Sequence, residues 1–105
     1  MNKEKIIQLQ MLEQNLQNII MQKQNFQAQV SEISNALKEV KETKEKVFKV
    51  IGSTMIAVEK NKVEKELDTK KEFLDLKIKS FEKQEKQFKE KFESLQTEVL
   101  KNIKK

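Results

Sequence analysis

Lysine and glutamate are the main side chains of this sequence that could take part in acid–base or electrostatic chemistry. The chain has 22 basic residues, all of them lysine, and 17 acidic ones, but no histidine and no cysteine. Histidine is the usual general base near neutral pH, and cysteine is the usual thiolate nucleophile. Five serines and four threonines are present, yet no such base is available to activate their hydroxyls. We therefore expect no enzymatic activity, no bound metal and no cofactor.

The lysines give the chain a net charge of +5, which at first sight suggests nucleic-acid binding. Arginine, which recognises guanine and phosphate through paired hydrogen bonds, is absent, as are tyrosine and tryptophan, on which bases stack. The lysines also alternate with acids, as in residues 38–46, instead of forming a basic patch. A solvated helix surface explains this pattern better than a nucleic-acid interface.

Membrane insertion and secretion have no support in the sequence. The longest uninterrupted apolar run, residues 55–58, is far shorter than the ~20 residues that cross a bilayer. The first eight residues contain no apolar core of the kind found in signal peptides. These features predict a soluble, cytoplasmic protein.

The chain has one glycine and no proline, the two residues that sharp turns favour most. We therefore expect the charged side chains to lie on long helices. From residue 9 to residue 40, apolar residues recur in alternating steps of three and four, which is a heptad pattern. Its two columns are Leu9, Leu16, Lys23, Val30 and Leu37, and Leu12, Ile19, Phe26, Ile33 and Val40. Lys23 is the one polar member. The pattern predicts a first helix over residues 1–46.

A second, less regular heptad pattern follows in the C-terminal half. Its main column is Leu67, Leu74, Phe81, Phe88 and Leu95. Its companion column mixes apolar and charged residues: Glu64, Lys71, Ile78, Glu85, Phe92 and Val99. Asn61 resembles an N-cap with Glu64 three residues later, so we predict a second helix over residues 61–105.

Between the helices, residues 47–58 contain one charge and six β-branched residues, with the single glycine, Gly52, near the middle. This composition predicts two short strands around Gly52 and Ser53, and the hairpin region spans residues 47–60. Two long helices joined by a short hairpin must fold back as an antiparallel coiled coil. The predicted fold class is therefore α-dominated, with a long two-helix coiled coil and one β-hairpin in a single domain, residues 1–105.

Two registers of the coiled coil fit the pattern, with paired residue numbers summing to about 104 or about 111. In either register the polar seam residues Lys23 and Glu85 lie in adjacent layers and can meet. Such a pair would set the register at a cost in stability. The alternative is that both side chains extend to water.

The predicted hairpin is apolar on both faces, and an isolated two-stranded hairpin is marginally stable in water. Its faces and open edges therefore call for other strands, so we predict that the chain oligomerises through this region. The predicted interface residues are Val47, Phe48, Val50, Ile51, Gly52, Met55, Ile56 and Val58.

The arrangement of helix, hairpin and helix resembles a β-type subunit of prefoldin, of the archaeal kind. The resemblance depends chiefly on Phe48, Lys49 and Gly52 in the hairpin, and it covers essentially the whole chain. Residues 22–24 (Gln-Lys-Gln) and 83–85 (Lys-Gln-Glu) are also similar to the family. Phe48 is a departure, since a tyrosine is expected there, but the change should leave the packing intact.

The resemblance implies a hexamer of two α-type and four β-type subunits, whose hairpins form a β-barrel from which the coiled coils project. It further implies an ATP-independent chaperone that holds unfolded proteins and delivers them to a group II chaperonin. The alternative function is a structural or tethering coiled coil that oligomerises without binding clients.

If the chain is such a chaperone, the free ends of the helices are the predicted client-binding site. Antiparallel helices bring residues 1–12 and 95–105 together, and the apolar residues there occupy more than one face. The predicted contact residues are Ile6, Ile7, Leu9, Leu100 and Ile103. The competing interpretation is that these residues only complete the core at frayed helix ends.

Overall fold

Two long helices and one hairpin make up the chain, as the sequence predicts. The computed structural model describes residues 2–103, and the side chains of residues 3–101. Helix α1 spans Asn2–Glu42, strands β1 and β2 span Val47–Ile51 and Thr54–Val58, and helix α2 spans Lys60–Ile103. The predicted fold class, two long helices joined by one antiparallel β-hairpin, is confirmed.

Helix α1 ends at Glu42, one turn earlier than predicted. The Nζ atom of Lys60 donates hydrogen bonds to the carbonyl oxygens of Lys41 and Thr43, at 3.0 and 3.1 Å. The Thr43 hydroxyl accepts a further bond from the backbone N–H of Glu45, at 3.2 Å. Carbonyls in the last turn of a helix lack backbone partners, and a cation there also complements the helix dipole. Lys60 and Thr43 therefore stabilise an early helix end.

Helix α2 begins at Lys60, so the predicted N-cap at Asn61 is wrong. The backbone N–H of Val63 donates to the carbonyl oxygen of Glu59, at 3.1 Å, which makes Glu59 the residue before the helix. Asn61 lies inside the first turn, where its side chain is exposed. The bonds from Lys60 to the end of α1 accompany this earlier start.

The hairpin has a two-residue turn at Gly52 and Ser53. The strands pair antiparallel from Val47 opposite Val58 to Ile51 opposite Thr54. Gly52 has a φ of 61°, a left-handed conformation that glycine adopts without steric cost. A positive φ at the first turn position alone is typical of a type II′ turn, whose twist matches that of the strands.

Both predicted heptad seams are confirmed, since every seam position in the two helices is buried or half-buried. The chain divides into two compact units, one of residues 26–77 and one of residues 1–25 with 78–105. In the unit of residues 26–77, which contains the hairpin, Ile33, Leu37 and Leu74 form the buried core. In the other unit, Ile19 and Val99 are the buried apolar residues among those described.

Candidate interaction surfaces

The hairpin presents two faces of different composition. Strand pairing places Phe48, Val50, Met55 and Ala57 on one face, which we call the Phe48 face. The opposite face, called the Ile51 face, consists of Val47, Lys49, Ile51, Thr54, Ile56 and Val58. The Phe48 face is entirely apolar, whereas the Ile51 face includes one lysine and one threonine.

Large apolar side chains are exposed on both faces within the single chain. On the Phe48 face, Val50 and Met55 are each 65% exposed and Phe48 is 49% exposed. On the Ile51 face, Ile51 is 56% and Ile56 45% exposed, while Val47 and Val58, next to the helices, are half-buried. Exposed apolar clusters of this kind mark interaction sites in soluble proteins.

Lys49 links the Ile51 face to helix α2. Its Nζ atom lies 3.3 Å from Oε2 of Glu66, and both side chains are largely exposed. An exposed ion pair of this type contributes little stability, about 0–1 kcal/mol. It places the one charged side chain of the hairpin beside helix α2.

The ends of the two helices meet within the unit of residues 1–25 and 78–105, as antiparallel pairing predicts. The Nζ atom of Lys5 lies 3.3 Å from Oε2 of Glu98. A surface groove of about 690 Å³ runs beside this pair, and its lining includes Leu12 and Leu95. The predicted juxtaposition of the start of α1 with the end of α2 is therefore present for residues 5–12 and 95–98.

The five predicted client-contact residues fall into different environments. Ile6, Ile7 and Leu100 are 41%, 56% and 53% exposed. Leu9 is half-buried in the seam, as its heptad position predicts. Ile103 is the last residue of α2, and its side chain lies outside the part of the chain that the structure describes. Three apolar residues at this end are thus available to a partner.

The two polar seam residues meet, which confirms that prediction. Nζ of Lys23 donates a hydrogen bond to Oε1 of Glu85 at 2.7 Å, and Lys89 lies 3.0 Å from the other carboxylate oxygen. Both members are mostly covered, with 21% and 14% of their side chains exposed. The alternative, in which both side chains extend separately to water, is wrong.

This ion pair changes the proton affinity of both groups. The hydrogen bond from Lys23, followed by that from Lys89, lowers the pKa of Glu85, and partial burial opposes the change. The hydrogen bond to Glu85 raises the pKa of Lys23, again against partial burial. The charged forms of both side chains therefore stabilise each other within the seam.

Four exposed apolar residues on the helices were missed by sequence reasoning. Met11 and Met21 on α1 are 59% and 62% exposed, and Phe73 and Leu76 on α2 are 56% and 66% exposed. The Phe73 ring is approached by Nζ of Lys77, 5.5 Å from the ring centroid. The sequence could have identified these four residues, because all are apolar and lie outside both columns of their helix's heptad pattern.

We also searched the described residues for membrane-spanning segments and for metal sites. Neither helix there carries a segment with the length and hydropathy that a membrane span requires. Carboxylates in the same part of the chain do not gather in groups of three or more that could hold a metal ion. The exposed apolar surfaces of the hairpin and of the helix ends are the features that remain to be explained.

Known proteins share this architecture over nearly its whole length. The sequence pattern of the prefoldin subunit family matches residues 3–105. Prefoldin subunit beta of Methanospirillum hungatei is 36% identical over 97 residues, which cover 90% of this chain and 81% of that protein. The corresponding protein of Thermococcus onnurineus is 33% identical over 94 residues, covering 88% and 81%.

A solved structure shows the same fold. The crystal structure of the prefoldin beta subunit from Thermococcus strain KS-1 superposes with a TM-score of 0.90 at 29% sequence identity. The match covers 96% of this chain and 90% of that one. The similarity therefore includes both helices and the hairpin between them.

Proposed function

This chain belongs to the prefoldin subunit family, as a subunit of the β type, and on that premise we propose that it is part of an ATP-independent chaperone that holds unfolded proteins. Members of the family are chaperone components that assemble with other prefoldin subunits. In the proposed complex, two α-type and four β-type subunits form a cytoplasmic hexamer. It captures non-native chains and delivers them to a group II chaperonin.

The observation that carries the proposal is the exposed hairpin. Five of its large apolar side chains are 45–65% exposed, and both strands have an unpaired edge. Strands from neighbouring subunits would satisfy the edge N–H and C=O groups and cover the apolar faces together. A β-barrel built from several hairpins does both, because a closed barrel has no edges.

Client binding is proposed for the helix ends, where Ile6, Ile7 and Leu100 are exposed. A single end offers only a few apolar side chains, so its affinity for an unfolded segment is expected to be weak. Several ends in one complex raise the overall affinity through their high effective concentration. Tight client binding at the helix ends therefore depends on assembly at the hairpin, whereas assembly does not depend on the helix ends.

The test consists of two measurements on the complex obtained by co-expressing this chain with an α-type prefoldin subunit. Native mass spectrometry should show a complex of two α-type and four β-type chains. The purified complex should then suppress aggregation of a guanidine-unfolded protein upon dilution, at stoichiometric amounts and without ATP. A complex that assembles fully but leaves aggregation unchanged would favour the structural or tethering function instead.

A further inference from the structure

Helix α1 presents an outward face that is almost free of charge. Of the thirteen exposed side chains from Ile7 to Asn25, only Glu13 is charged. On α2 in the same unit, ten of the seventeen exposed side chains between residues 79 and 101 are charged. The exposed surfaces of the two helices therefore differ strongly in charge. The nearly uncharged surface of α1 is unusual in a chain of which 37% of the residues are charged.

Three exposed apolar side chains lie along this neutral face. Ile7, Met11 and Met21 are 56%, 59% and 62% exposed. Steps of three and four residues place Gln14 and Asn18 between them on the same side of the helix, and both are exposed. We call these five residues the neutral stripe. It lies opposite the seam residues, so the core of this unit does not account for it.

We propose that the neutral stripe binds unfolded polypeptide, extending the client surface from the helix ends along α1. This inference rests on the proposed holding function and assigns it additional residues. Continuity supports it, because Ile7 belongs both to the exposed end and to the stripe. The surface at the helix ends thus leads directly into the stripe.

The chemistry of the stripe fits a non-native chain. Unfolded segments carry apolar side chains together with backbone N–H and C=O groups that lack partners, and side-chain amides can donate to and accept from such groups. Methionine is flexible and polarizable, so it adapts to ligands of different shape, as in proteins that bind many targets. None of the five residues of the stripe is charged, so no charged group of the stripe must be desolvated when a segment binds.

A permanent contact with another copy of the chain fits the stripe less well. Helices that pack stably in coiled coils need apolar residues repeated every three or four positions. Here Met11 and Met21 are separated by more than two turns, with Gln14 and Asn18 between them. Stable interfaces are also enriched in aromatic residues, which the stripe lacks. Weak, adaptable binding is the better match.

The test compares three double variants in the complex assembled with the α-type subunit. Met11→Glu with Met21→Glu places charge on the stripe, and Met11→Gln with Met21→Gln removes the apolar groups without adding charge. Gln84→Glu with Gln96→Glu is the control, because it makes the same charge change at exposed positions of α2 in the same unit. Binding is measured by fluorescence anisotropy with labelled, reduced and carboxymethylated α-lactalbumin, a permanently unfolded chain.

We expect the methionine-to-glutamate variant to weaken the Kd by about tenfold, equivalent to 1.4 kcal/mol. The methionine-to-glutamine variant should show a smaller loss, the α2 control should stay within twofold of wild type, and native mass spectra should show unchanged assembly. Equal weakening by the α2 control, or wild-type binding by both methionine variants, would overturn the inference. Loss of subunits in the methionine variants would instead identify the stripe as a subunit interface and also overturn it. Failure of the wild-type complex to bind the probe would refute the proposed holding function itself.

Discussion

Replacing an exposed isoleucine of the hairpin with aspartate should separate assembly from folding. Ile51 is 56% exposed in the single chain, so a carboxylate there remains in contact with water and should leave the helices intact. In the proposed barrel the same side chain is covered by a neighbouring subunit. We therefore expect Ile51→Asp to keep the helical circular dichroism of the wild type while losing the oligomer.

The size of the effect follows from the exposed fraction. Full burial of an isoleucine side chain contributes about 3 kcal/mol at the upper end, so covering the exposed 56% of Ile51 contributes roughly 1.5 kcal/mol per subunit. Enclosing an unpaired carboxylate costs several kcal/mol more. Together these two effects weaken the free energy of association by about 5 kcal/mol per subunit, which lowers the association constant by more than a thousandfold.

A matched control exists in the same chain, because Ile7 is also 56% exposed but lies near the end of α1. Ile7→Asp makes the identical chemical change and should leave the oligomer intact, while weakening aggregation suppression. Analytical ultracentrifugation at micromolar concentration measures assembly for both variants. If Ile51→Asp sediments as the wild-type complex, or if both variants dissociate equally, the hairpin is not the specific assembly element.

Three further predictions concern the seam and the helix ends. Phe81→Ala should lower the free energy of unfolding by about 3 kcal/mol in chemical denaturation, the low end for phenylalanine because the ring is half-buried. Glu85→Gln should flatten the acid side of the pH–stability profile. The lowered pKa of Glu85 means that the stability from its pairing with Lys23 is present above pH 4.5 and is lost as the pH falls through the folded-state pKa. Deleting residues 1–8 together with 100–105 should keep the oligomer and abolish aggregation suppression.

For each of these three predictions, one result would contradict the reasoning. Phe73→Ala removes a ring that is 56% exposed, so it should change stability far less than Phe81→Ala; an equal change would mean that the seam is wrongly assigned. An acid side of the pH–stability profile that is unchanged from wild type in Glu85→Gln would contradict the role of the ion pair. Full holding activity in the truncated complex would place the client site away from the helix ends.

Local patterns in the sequence were sufficient for most of the fold. Heptad spacing identified every seam position, because burial along a helix repeats with its periodicity. The β-branched run around Gly52 identified the hairpin, since strand propensity and a glycine turn agree there. The meeting of Lys23 and Glu85 also followed from the pattern, because both candidate registers place them in adjacent layers. The sequence alone also predicted a hairpin with two apolar faces; this holds for the Phe48 face, whereas the Ile51 face also carries Lys49 and Thr54.

Tertiary structure decided the features that depend on residues distant in sequence. Helix α1 ends at Glu42 because Lys60 reaches back to the carbonyl oxygens around its end, an interaction that no local pattern contains. The same arrangement starts α2 before Asn61, so a favourable capping sequence was not used as a cap. Folding also determined that Ile20 is half-buried while Met11 and Met21 stay exposed, although all three lie outside the predicted heptad columns. Burial of an apolar side chain depends on what packs against it, and that is settled only when the two helices come together.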